Sequence, residues 1–135
     1  MFKSKIKQIV RDNADKNYPK KIVISCASNQ AMLNNSCMYN AVNKCMLGES
    51  SAVVECVVIT NSQATAHYIN LQPDGSFVDF TLGWHWSSCD YRFVRYVPYT
   101  EWGGIDESLY RLKCKLSEPV KLWKRILMLN DNDIC

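Results

Sequence analysis

The sequence lacks the features of several large protein classes. It has no glycine-, serine- or proline-rich run, no acidic low-complexity run and no internal repeat, which excludes a largely disordered chain and a solenoid. No apolar stretch approaches the length of a membrane span, and residues 1–16 contain no uninterrupted apolar segment of the signal-peptide kind. We therefore expect no membrane partner.

The spacing of the cysteines argues against a zinc-binding module. The seven cysteines are scattered, and no two of them form a Cys-x-x-Cys pair. His85 and Cys89 resemble half of a zinc site, but two further ligands at matching spacing are absent. We expect no metal and no cofactor. Scattered cysteines without a signal segment favour free thiols in a reducing compartment, so we expect a cytoplasmic protein; a disulfide-stapled secreted domain is the alternative.

Size and charge set further limits. The chain has 135 residues, of which 47% are hydrophobic, and this is enough for a single domain spanning residues 1–135 with its own core. The net charge is +5 over residues 1–21, −5 over residues 22–110 and +3 over residues 111–135. Because phosphate binding needs clustered Lys and Arg side chains, an acidic centre predicts that the protein does not bind nucleic acid.

Hydrophobic periodicity predicts an α+β fold. A helix carrying Cys37 packs on an antiparallel β-sheet, with further helices flanking it at the N- and C-termini. Asn34, Asn35 or Ser36 is the predicted N-cap of the central helix, and Gly48 is its stop signal. The predicted helices are 2–12, 37–47, 105–112 and 119–129, and the predicted strands are 22–25, 52–60, 66–71, 77–81 and 91–97.

Cys37 lies where a thiol becomes reactive. It falls in the first turn of the predicted central helix, where unpaired N–H groups and the positive end of the helix dipole favour a thiolate. Cys45 and Cys56 fall within apolar patterns instead, while Cys26 and Cys89 near loops are possible second sites. A small buried hydrophobic residue is the other interpretation of Cys37.

A predicted hairpin brings a histidine and an aspartate together. His67 begins one strand, and Pro73-Asp74-Gly75 suits a three-residue loop in which the glycine adopts a left-handed conformation. That loop pairs Gln72 with Ser76 and places Asp79 diagonally from His67 on the same face. A carboxylate there could orient the imidazole and leave its second nitrogen for Cys37. Taken singly, each residue also fits a structural role.

The order of these three residues resembles that of the papain-like and transglutaminase-like cysteine enzymes. Residues 79–83, Asp-Phe-Thr-Leu-Gly, resemble the segment that follows the histidine strand in transglutaminase-like enzymes. The resemblance implies a nucleophilic Cys37, His67 as general base and acid, and Asp79 as the orienting group. It implies acyl transfer on an amide or thioester, as a peptidase, deamidase or transamidase, with a protein or peptide substrate.

Other residues are candidates for binding the oxyanion or the substrate. Gln30 resembles the glutamine that precedes the cysteine in papain-like enzymes, and Asn35 is a further amide donor for a developing oxyanion. Trp84 begins an aromatic-rich segment that could line a substrate cleft. The alternative function is a non-enzymatic host-interaction or inhibitor protein of the same fold.

Overall fold

The computed structural model describes residues 2–25, 36–82 and 89–120. The predicted α+β class is confirmed. The described helices are α1 (Phe2–Asn17), α2 (Cys37–Met46), a short 3₁₀-helix (Tyr99–Gly104) and α3 (Ile105–Leu116). The strands are β1 (Lys21–Ile22), β2 (Ala52–Ile59), β3 (Ala64–Leu71), β4 (Phe77–Val78) and β5 (Asp90–Val97).

The strands form a sheet that curls toward a barrel. Their order is β1-β5-β2-β3-β4, and all neighbouring strands are antiparallel. β2 lies at the centre, and seven of its eight residues are buried, because its β-branched residues are covered on both faces. Just after β1, Ile24 forms a parallel bridge with Phe77, and the Ser25 N–H donates to the Phe77 carbonyl at 2.8 Å. These contacts join the two edges of the sheet.

Two apolar clusters lie on opposite faces of this curled sheet. The alternation of β3 shows the division, because successive side chains on a strand point to opposite faces. Ala66 and Tyr68 belong to an outer core, shared with the helices, whereas Ile69 belongs to an inner core enclosed by the strands. His67 therefore points to the inner side, where it approaches Tyr91 with ring centroids 6.2 Å apart.

Helices α1, α2 and α3 cover the outer core. In α1 the buried residues are Ile6, Val10 and Ala14, which share one helical face. In α3 the buried apolar residues are Ile105, Leu109, Leu112 and Leu116. None of the helices in the described part of the chain has the length and apolar character needed to cross a bilayer.

The structure corrects several predicted boundaries. Helix α1 extends to Asn17, five residues beyond its predicted end. The strand predicted over 77–81 ends at Val78, because the chain turns over residues 80–82. The helix predicted over 119–129 lies outside the described residues except for Pro119 and Val120, which are not helical.

The ends of α2 follow the sequence signals. Ser36 is the N-cap residue, although its side chain makes no capping hydrogen bond. Gly48 has φ of 75°, a conformation that ends helices and that glycine adopts at little cost. Helix α2 thus begins at Cys37, as predicted.

Candidate active site

The loop between β3 and β4 fixes the register of the site. The Gln72 N–H donates to the Ser76 carbonyl at 2.8 Å, and the Gly75 N–H donates to the Gln72 carbonyl at 2.9 Å. Gly75 has φ of 88°. The paired residues are Asn70 with Val78 and Leu71 with Phe77. This is the predicted three-residue loop, and it places Asp79 on the same face as His67.

His67 and Asp79 form a fully buried hydrogen-bonded pair. Nε2 of His67 lies 2.8 Å from Oδ2 of Asp79, and both side chains are 0% exposed. Asp79 has three further donors. The Tyr91 hydroxyl donates to Oδ2 at 2.5 Å, and the backbone N–H groups of Thr81 and Leu82 donate to Oδ1 at 2.9 and 3.0 Å. Four donors therefore surround one carboxylate inside the sheet.

The four donors keep the Asp79 carboxyl ionised. Burial alone would raise the pKa of Asp79, but the charge and hydrogen bond of His67, with the bonds from Tyr91 and Leu82, outweigh it and lower the pKa below its ordinary value. An ionised carboxylate only accepts hydrogen bonds, so Nε2 of His67 must be the donor. In the neutral imidazole Nδ1 is then unprotonated, and Nδ1 has no hydrogen-bond partner among the described residues. In that tautomer the free lone pair of the ring lies on Nδ1.

Cys37 occupies the predicted helix start, but it is not a free thiol. It is disulfide-bonded and 0% exposed. The prediction that the cysteines are free is therefore wrong for Cys37, because scattered spacing along the chain carries no information on which sulfur atoms meet in the fold. Four other cysteines of the described ranges form no disulfide bond: Cys45, Cys56, Cys89 and Cys114.

Cys37 and His67 belong to different sides of the sheet. Cys37 is part of the outer core, whereas His67 points to the inner side. Helix α2 is held against the outer face of β3 by Asn70, whose amide donates to the Ala41 carbonyl at 2.9 Å. The predicted hydrogen bond between Cys37 and Nδ1 of His67 is not formed in this structure.

The segment after β4 connects the two sides. Asn40, one turn after Cys37, donates through its amide to the Thr81 hydroxyl at 2.9 Å, and both side chains are buried. The Thr81 N–H in turn donates to Asp79. Among the described residues, β4 pairs only with the last two residues of β3. The chain from Asp79 to Thr81 therefore runs from the His67 side to the first turn of α2, past the part of β3 that β4 leaves uncovered.

The remaining predicted site residues are not placed here. Gln30, Asn35 and Trp84 lie outside the described residues. Two other polar residues close in sequence to the site bind elsewhere: Asn70 binds α2, and Asp90 forms an ion pair with Arg92 at 2.7 Å. No group of three His, Cys, Asp or Glu side chains suited to a metal ion occurs within residues 2–25, 36–82 and 89–120.

Sequence reasoning missed three residues that build the site. Tyr91 appears in the sequence only as one aromatic residue among many, since its contact with Asp79 joins β5 to the chain after β4. Thr81 lies in the segment quoted for the family resemblance, which was the one available signal. Asn40 gave no signal beyond its position one turn after Cys37.

Comparison with known proteins adds no relative. No family model, no curated protein and no solved structure matches the chain. The resemblance to papain-like and transglutaminase-like enzymes therefore stays a prediction based on residues 37, 67 and 79–83.

Proposed function

We propose that the protein, with Cys37 reduced, is a cysteine-dependent acyl-transfer enzyme acting on amides or thioesters. The observation that carries the proposal is the His67–Asp79 pair: a buried imidazole bonded through Nε2 to an ionised carboxylate, with Nδ1 left unpartnered among the described residues. The resemblance to peptidases and transamidases supports a protein or peptide as the substrate. No membrane or nucleic-acid partner is proposed.

The proposed reaction has two stages, acylation of Cys37 and then its deacylation, and all three residues of the triad act in both. Nδ1 of His67 removes the thiol proton of Cys37, and the sulfur attacks the substrate carbonyl to form a tetrahedral intermediate. The intermediate collapses to a thioester on Cys37, and the leaving amine or thiol departs with the proton from His67. Water or an acceptor amine then attacks the thioester carbonyl and gives its proton to His67. The carbon–sulfur bond breaks and releases the acyl group on its new acceptor, and His67 returns the proton to the sulfur of Cys37. Asp79 remains ionised throughout and stabilises the imidazolium.

Two conditions follow for activity. The disulfide of Cys37 must be reduced by a dithiol, because the thiolate is the nucleophile. The sulfur must also reach Nδ1 from the outer side of the sheet, past the part of β3 that β4 leaves uncovered. The bond from Asn40 to Thr81 supports this route, since it holds the first turn of α2 near the Asp79 segment. A cytoplasmic location, as the sequence predicts, would keep Cys37 reduced.

The proposal is tested with a generic acyl donor. After reduction with dithiothreitol and removal of the reductant, the protein is mixed with an activated aryl acetate, and the acetylated residue is located by peptide mass mapping. We expect a thioester on Cys37 in the wild type and a large loss of acetylation in His67→Ala. The control Cys114→Ala removes a free cysteine on α3 and should leave the rate unchanged. Acetylation of Cys37 at equal rates with and without His67 would contradict the proposal.

The disulfide itself favours a second candidate function. A fully buried, disulfide-bonded Cys37 is what a non-enzymatic binding protein of the same fold would have, with His67, Asp79 and Tyr91 as a satisfied polar group inside the sheet. In that case reduction should lower stability and produce no acyl transfer. The aryl acetate experiment separates the two functions, because only in the enzyme does the acetylation of Cys37 depend on His67.

A further inference from the structure

Tyr91 shares one carboxylate oxygen with the catalytic histidine. Its hydroxyl donates to Oδ2 of Asp79 at 2.5 Å, and Nε2 of His67 binds the same atom at 2.8 Å. The tyrosine is on β5, whereas the histidine is on β3, so the two donors reach the carboxylate from different strands across the inner core.

We propose that Tyr91 is a positioning residue for the His67–Asp79 pair. Its hydroxyl holds the Asp79 carboxylate turned toward the imidazole and keeps it ionised. The carboxylate then fixes the proton of His67 on Nε2, and Nδ1 remains available to accept a proton. The consequence for rate rests on the proposed function, whereas the consequence for Asp79 does not.

The protonation states of the neighbouring groups fit this role. Burial, together with the negative charge of Asp79, raises the pKa of Tyr91, so its hydroxyl remains a donor. Cys56 on β2 also faces the inner core, and burial raises the pKa of its thiol well above the ordinary value, so it stays neutral. The other titratable group that bonds to Asp79 is His67. Tyr91 is thus the neutral donor that helps a buried carboxylate to stay charged.

Loss of this hydroxyl has a defined expected effect. In Tyr91→Phe the Asp79 carboxylate keeps its bonds to His67 and to the Thr81 and Leu82 N–H groups but loses one of its four donors. A buried carboxylate with fewer donors is protonated more easily. The pKa of Asp79 should therefore rise by about 1, which corresponds to one hydrogen bond to a charged group.

Tyr68 supplies a matched control. It is buried in the outer core, and its hydroxyl donates to a different carboxylate, that of Glu55, at 2.7 Å. Tyr68→Phe thus removes the same atom from a similar environment without touching Asp79.

The test is a titration of the intact protein with ¹³C-labelled aspartate, followed by NMR, in which Asp79→Asn assigns the resonance. In the wild type and in Tyr68→Phe the pKa of Asp79 should lie below its ordinary value. In Tyr91→Phe the midpoint of its titration should move to higher pH by about one pH unit. An unchanged pKa of Asp79 in Tyr91→Phe would overturn the proposal. A wild-type Asp79 that titrates at or above the ordinary value would also overturn it, and this measurement can be made even if the variant does not fold.

The acyl-transfer assay separates this inference from the proposed function. If the reduced enzyme transfers acetyl groups, the acid limb of its pH–rate profile should move to higher pH in Tyr91→Phe and stay in place in Tyr68→Phe. An upward shift of the Asp79 titration without acyl transfer in the wild type would sink the proposed function and leave the role of Tyr91 standing. Acyl transfer by the wild type, together with an acid limb that does not move in Tyr91→Phe, would overturn the role of Tyr91 and leave the proposed function standing.

Discussion

The buried amide of Asn40 donates to the Thr81 hydroxyl at 2.9 Å, 41 residues away in sequence. This bond ties the first turn of α2, which carries Cys37, to the segment that carries Asp79. A side-chain bond that is enclosed on both ends holds its partners more rigidly than an exposed one, because water does not compete for either group. The position of the proposed nucleophile, Cys37, relative to the His67–Asp79 pair therefore depends on Asn40.

Asn40→Ala should destabilise the protein by about 1–3 kcal/mol, since it leaves the buried Thr81 hydroxyl without this donor. The measurement is the free energy of unfolding in urea. Asn43→Ala is the matched control, because Asn43 lies on the exposed face of the same helix, and its loss should change stability by less than about 0.5 kcal/mol. Equal effects of the two substitutions would show that the bond to Thr81 does not matter.

The lowered pKa of Asp79 predicts a pH-dependent contribution to stability. A carboxyl whose pKa is lower in the folded than in the unfolded state contributes its full stabilisation above the unfolded value of about 3.9 and loses it as the pH falls through the folded value. Asp79→Asn should cost on the order of 2–3 kcal/mol at neutral pH. The difference in unfolding free energy between wild type and variant should shrink as the pH falls below about 4.

Urea unfolding of both proteins across this pH range checks the prediction. The difference in unfolding free energy between wild type and variant removes the contributions of other acidic groups. Glu101 is one of these: its hydrogen bond from Arg95 lowers its pKa to about 2, although burial acts in the opposite direction. A difference that stays constant down to the acid limit would mean that Asp79 is not held as a carboxylate by its four donors.

Gly75→Ala tests the loop that sets the register of the site. The φ of 88° is strained for an alanine, although an added Cβ would meet no atom within 4 Å. The substitution should therefore cost about 1–2 kcal/mol through backbone strain alone. Gly103→Ala is the control, since Gly103 also has open space around it but no positive φ. Similar unfolding free energies for the two variants would contradict the three-residue loop.

The sequence was informative where the structure is local. Pro73, Asp74 and Gly75 specified the loop, and the period of two along β3 then placed His67 and Asp79 on one face. The α+β class followed equally directly, because helix and strand periodicities alternate clearly along the chain. Each of these inferences needed only neighbours in sequence.

The long-range part of the site could not be predicted in this way. Which face of β3 packs on α2 depends on how the sheet curls, and the edges of the curled sheet meet at the bridge between Ile24 and Phe77, far apart in sequence. The contact of Tyr91 with Asp79 and the disulfide of Cys37 were not foreseen either, because spacing along the chain does not show which side chains meet in the fold. The predicted contact between Cys37 and His67 assumed that both side chains lie on the same side of the sheet. The alternation of side chains along β3 instead points His67 to the inner side, whereas Cys37 lies on the outer side.

The most direct test of the proposed triad is the alkylation rate of Cys37 in the reduced protein. Iodoacetamide at mildly acidic pH, followed by peptide mapping, should label Cys37 faster than the other six cysteines, because the helix start and the imidazolium of His67 both favour the thiolate. In His67→Gln the labelling of Cys37 should slow to the rate of Cys114. If Cys37 stays unlabelled while Cys26 or Cys89 reacts first, or if His67→Gln leaves its rate unchanged, Cys37 and His67 are not a catalytic pair.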